Sequence, residues 1–152
     1  MIQLSGKFIK PVLFCFFILT GINGCKDDYT SIIPYVYVDM NFNPTSNIEL
    51  NIPGGAYYFT NVGYGGIIIF RDLVDSSIPF FAFDATCTYE YGASGTREIV
   101  VAEQGTGIAT CPKCGSQYFL SGGSGSPIQG PAVEPLKQYR TSYVGGRIIV
   151  RN

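Results

Sequence analysis

The chain has 152 residues, a formal net charge of −1, 46% hydrophobic and 14% charged residues, which suits one domain with neither a basic footprint for nucleic acid nor an acidic tail. It contains 11 tyrosines, 11 phenylalanines, 19 glycines and 5 cysteines, but no tryptophan and no histidine. Without imidazole the usual general base, the commonest metal ligand and the physiological proton switch are all excluded, and so is a Ser-His-Asp triad.

The chain opens with Lys7 and Lys10, an apolar run over residues 12–19, the small and polar stretch Thr20-Gly21-Ile22-Asn23-Gly24, and then Cys25. A basic start, a short apolar core and small residues before a cut site predict a signal peptide over residues 1–24. The run falls short of the roughly 20 apolar residues a spanning helix needs. Ile22-Asn23-Gly24-Cys25 resembles a bacterial lipobox, which implies that Cys25 becomes the lipid-modified first residue and the membrane its partner. Lys26-Asp27-Asp28 resembles the signal that sends Bacteroidetes lipoproteins to the outer surface. The expectation is an exported outer-membrane lipoprotein exposed at the surface, with residues 25–34 as lipidated cysteine and tether. Cys15 would leave with the signal.

Short runs rich in strand formers follow at residues 35–40, 48–52, 56–60, 66–71, 79–84, 98–102, 107–110, 117–120, 136–142 and 147–151. Glycine, proline and asparagine separate them, so the prediction is an all-β antiparallel sandwich or barrel. Gly145-Gly146 predicts a tight final hairpin. No helical periodicity of useful length appears after residue 25. Ser121-Gly122-Gly123-Ser124-Gly125-Ser126-Pro127 lacks the Lys-Ser/Thr of a phosphate loop and is expected to be a flexible loop. Asp72 and Asp75 could be paired carboxylates, with a solvated turn as the expected reading. Tyr57, Tyr58, Tyr64, Tyr89 and Tyr91 could stack on sugar rings, which leaves a protein or glycan partner open; on strands, alternate aromatics are the mark of a core.

Three cysteines remain, as Cys87-Thr88-Tyr89 and Cys111-Pro112-Lys113-Cys114-Gly115. Each cluster follows a strand-like run, and two such loops can clamp one metal centre between them. The second loop runs on through Gly130-Pro131-Ala132, Pro135-Leu136 and Tyr139, and the aromatic run over 79–84 precedes the first. This order resembles the Rieske iron–sulfur family, which has Cys-x-His in one loop and Cys-Pro-x-His-Gly in the next, followed by the same landmarks. The resemblance covers residues 35–152. It implies a Rieske-like antiparallel β-sandwich or barrel with a small two-loop cluster-binding subdomain at about residues 84–131. It also implies a [2Fe–2S] cluster with Cys87, Tyr89, Cys111 and Cys114 at the ligand positions, Tyr89 and Cys114 standing where the family has histidines.

Three readings of these cysteines stay open. One is a modified [2Fe–2S] electron-transfer site using Cys and Tyr. Another is a zinc site, since Cys-Pro-x-Cys-Gly has the shape of a zinc knuckle. The third, the expected one, is a scaffold that has lost its cluster and is stapled by a disulfide, within the Cys111/Cys114 pair or from Cys87 to one of them. No complete proton-transfer set is present, so the expected role is not that of an enzyme but at most that of an electron-transfer component.

Overall fold

The computed structural model describes residues 30–74, 77 and 79–152. The signal peptide, Cys25, the start of the tether and Asp75 lie outside the described residues. Ten strands are described: β1 (Asp39–Phe42), β2 (Ala56–Phe59), β3 (Ile67–Arg71), β4 (Phe80–Asp84), β5 (Val101–Glu103), β6 (Ile108–Thr110), β7 (Gln117–Phe119), β8 (Ser126–Gln129), β9 (Gln138–Val144) and β10 (Arg147–Arg151). One short helix, α1 (Thr88–Ser94), stands between β4 and β5.

The strands form two antiparallel sheets, one of six in the order β1-β10-β9-β4-β3-β2 and one of four in the order β5-β6-β7-β8. The centre of the larger sheet is covered on both faces. Ile67 to Phe70 of β3 are therefore all buried, as the continuous apolar run requires. Their side chains alternate as strand geometry demands. Ile68 and Phe70 join a core with Phe83, Val100, Ala109, Tyr118, Leu120 and Leu136. Ile67 and Ile69 join another with Val38, Leu50, Ala82, Tyr139 and Ile148. The predicted final hairpin is present: Val144 pairs with Arg147 across the turn, and Gly145 and Gly146 take φ of 58° and 75°, the left-handed pair that a two-residue turn uses.

Five expectations are corrected. Residues 48–52 do not form a strand: Ile48–Asn51 is a 3-10 turn in which Leu50 alone is buried, entered from the Asn43-capped turn at Pro44–Ser46. Residues 35–38 precede the first ladder, and β1 begins only at Asp39. A helix occurs where no periodicity announced one. It is seven residues long and ends on Gly95 in the left-handed conformation, and Ser94 Oγ donates to Glu90 O at 2.9 Å. Tertiary contacts override the poor helix propensity of Tyr89, Tyr91 and Gly92. The glycine stretch 121–127 is not a free loop. It contains a 3-10 turn at Ser121–Gly123 and the start of β8, whose Ser126 and Pro127 pair with Phe119 and Tyr118.

Asp72 likewise departs from the solvated-turn reading. It is 7% exposed and accepts from Ser121 Oγ, from Gly122 N at 3.2 Å and from Leu73 N at 2.9 Å. It ties the loop after β3 to the turn after β7.

Candidate functional site

The chain leaves β4 through Ala85 and Thr86 and reaches Cys87, whose N–H donates to Glu98 O at 2.8 Å. The isolated bridge between Thr86 and Ile99 holds both limbs of this first loop together, and α1 starts at the next residue. The second loop is a tight turn on the end of β6. Cys111 N donates to Ser116 O at 2.8 Å and Gly115 N to Cys111 O at 3.0 Å. Gly115 takes φ of 73° there, which glycine adopts without strain.

The two loops bring the sulfurs of Cys87, Cys111 and Cys114 within 4.8 Å of one another. Cys87 Sγ and Cys114 Sγ are 3.6 Å apart. Cys87 and Cys111 are 0% exposed, whereas Cys114 is half-buried. Around them is a polar shell. Tyr118 Oη lies 3.4 Å from Cys87 Sγ and 3.0 Å from Thr88 Oγ1, and accepts from Thr88 N at 3.2 Å. The Cys114 thiol donates to Ser116 Oγ at 3.1 Å, and Ala132 N donates to the same oxygen at 3.1 Å. Lys113 joins the loops at the surface, with Nζ 2.8 Å from Glu90 of α1 and 3.4 Å from Glu98.

These surroundings separate the thiols. Burial pushes Cys111 up to about 12, against the opposing pull of the Cys114 and Lys113 N–H groups that face its sulfur. Burial also raises Cys114, but the side chain and backbone of Ser116, then Cys111 and Cys87, outweigh it by hydrogen-bonding the thiolate, and Cys114 falls below its ordinary value. Once Cys114 loses its proton, the Ser116 hydroxyl reverses its role and donates to the sulfur. Cys114, the half-exposed thiol, is thus also the one whose proton is loosened, while burial holds the proton of Cys111.

Of the four residues expected at the ligand positions, the structure brings the three cysteines together. Tyr89 lies on α1, 40% exposed, where it lines a shallow groove of about 310 Å³ with Ile32, Gly92, Pro131 and Val133. Among the described residues no hydrogen bond joins Tyr89 to a sulfur. The hydroxyl at the sulfurs belongs to Tyr118, which sequence reading missed. Its signal was available: in Gln117-Tyr118-Phe119 only the middle residue faces inward, and a buried tyrosine hydroxyl seeks a partner. Ser116 was missed as well, because its role depends on Ala132, which is distant in sequence.

No protein-family model and no curated protein matches this chain. Solved structures do. The cyanobacterial plasma membrane Rieske protein PetC3 from Synechocystis matches at 20% identity and a TM-score of 0.54, over 74% of this chain and 99% of that one. The fold is that of a Rieske-type domain. A complex of reduced oxygenase and oxidized ferredoxin in carbazole 1,9a-dioxygenase contains a chain with TM-score 0.52 and 17% identity, over 75% of this chain and 93% of its own. The ferredoxin of carbazole 1,9a-dioxygenase from Nocardioides aromaticivorans gives 0.50 and 20%, over 77% and 98%.

The residues at this site do not fit the centre of a Rieske protein. Two histidines hold one of its irons, and this chain has none. An all-cysteine cluster takes four thiolates, and the described residues assemble three.

Proposed function

We propose that this protein is a lipid-anchored component of the bacterial cell envelope whose Rieske-type domain has exchanged cluster chemistry for thiol chemistry. It is a non-catalytic scaffold with a redox-responsive three-thiol site at the meeting of its two loops. The convergence of three sulfurs from both loops, in a chain without histidine, carries this reading.

In an oxidising envelope, Cys87 and Cys114 pair. Their sulfurs have to close from 3.6 Å to about 2.05 Å. The two thiols lose two electrons and two protons to an oxidising disulfide, which leaves as two thiols. The new bond joins the loops where a cluster otherwise would, and Cys111 stays behind as a buried thiol. The anchor reading is supported by Lys7, Lys10, the apolar run and Cys25, which together predict export and lipidation, and by Lys26-Asp27-Asp28, which resembles an outer-surface signal.

Peptide mapping of the full chain, purified from membranes with free thiols blocked at lysis, tests the site. The expected product is a linked pair of peptides containing Cys87 and Cys114, with a gain of two hydrogens on reduction. A Cys87 and a Cys114 that are both fully blocked in protein taken from the envelope would contradict the staple.

A further inference from the structure

The reduced state of the site has a ligand of its own. A metal–thiolate bond of about 2.3 Å sets tetrahedral sulfur–sulfur edges of about 3.8 Å around one ion. The three sulfurs here lie within 4.8 Å of one another, and one pair is already at 3.6 Å. Side-chain rotation therefore closes the remaining gap. Two of the three sulfurs are fully buried and Cys114 faces the surface, so the open coordination position lies on the Cys114 side. Soft thiolates select zinc and monovalent copper over hard cations.

We propose that the reduced site binds one soft metal ion through Cys87, Cys111 and Cys114, leaving one coordination position open, and that the Cys87–Cys114 disulfide expels it. This rests on the cluster-free reading above. On oxidation, the two metal-bound thiolates give two electrons to a disulfide oxidant, form the Cys87–Cys114 bond and release the ion. The oxidant takes up two protons and departs as two thiols.

The test uses the full chain in detergent, reduced and anaerobic, titrated with zinc sulfate in one arm and with a copper(I) salt in another. Cobalt(II) serves as the optical probe of thiolate ligation. One equivalent bound at these sulfurs is expected, with sulfur-to-cobalt absorption. Cys114→Ser, at the half-exposed position, should weaken binding by more than the 10–100-fold that loss of an outer partner typically costs. Oxidation of the wild-type chain to the Cys87–Cys114 disulfide should release the ion to a chelator, which requires no variant to fold. Binding that survives both Cys114→Ser and that disulfide overturns the proposal, as does a reduced, iron-free chain that takes up neither zinc nor copper. Iron and sulfide in the purified chain would instead overturn the cluster-free reading on which it rests.

Discussion

Asp84 shows how much one side chain holds in this domain. It is 0% exposed and accepts from Tyr64 N at 2.7 Å, Gly65 N at 3.1 Å, Thr86 N at 3.1 Å, Thr86 Oγ1 at 2.6 Å and Tyr139 Oη at 2.9 Å. Those donors come from the turn before β3, from the first cysteine loop and from β9. Asp84→Ala leaves several of them buried and unpaired, and should cost ~3 kcal/mol or more in chemical denaturation. Tyr139→Phe removes one donor and should cost ~1–2 kcal/mol. The cysteines were legible from their spacing, because chemistry marks them. Asp84 was not, because its partners lie up to 55 positions away and nothing local distinguishes it from a turn aspartate. In reduced, metal-free protein at neutral pH, maleimide should label Cys114 well before Cys87 or Cys111, as read by peptide mass mapping. Uniform labelling of all three would contradict the polar shell described above. Cys111 also sets a pH dependence. Its folded-state value is raised from 9.0 to about 12, so the unfolded chain releases this proton first. Its contribution to stability is complete below pH 9 and is lost as pH rises toward 12. The urea midpoint should fall across that window, with buried Tyr118 and Tyr139, also raised by burial, pushing the same way.

At the scale of elements, the landmarks that sequence reading borrowed from a resemblance acquire a physical cause. Gly130 of Gly130-Pro131-Ala132 takes φ of 90°, and a Cβ there would stand 2.6 Å from Ser116 Cα. The backbone after β8 therefore lies directly on the second cysteine loop, and Ala132 N bonds Ser116 Oγ beside Cys114. Gly130→Ala should destabilise the domain by at least ~2 kcal/mol, from left-handed strain and displaced backbone. It should also speed alkylation of Cys114, because Ser116 must move. A variant with lower melting temperature but unchanged Cys114 reactivity would show that the contact braces the fold without shaping the site. The elements that sequence reading placed well are the central strands β3 and β4, where apolar runs leave no other solution. It failed where the determinant was not a pattern of residues: α1 exists because its first residue Thr88 is tied to Tyr118 and Glu90 to Lys113 of the second cysteine loop, and β8 exists because β7 offers it an edge.

For the whole molecule, the all-β antiparallel class was readable from short strand-forming runs, and the order of separate landmarks pointed to its architecture. The described residues that lead into β1 pack against the domain: Ile33 and Val38 are buried, and Lys137 Nζ donates to Pro34 O at 2.8 Å. Cys25→Ser should abolish fatty-acid labelling and shift the protein out of the membrane fraction, while leaving the cysteine site unchanged; continued labelling would contradict Cys25 as the acylated residue. In the function proposed above, this Rieske-type domain works with thiols in place of an iron–sulfur cluster. Its most direct test is the iron and acid-labile sulfide content of the full chain, with its visible absorption, after anaerobic purification and after reconstitution with iron and sulfide. The account predicts a colourless protein without stoichiometric iron in both conditions. A coloured chain holding two irons and two sulfides, lost together in Cys114→Ser, would contradict it.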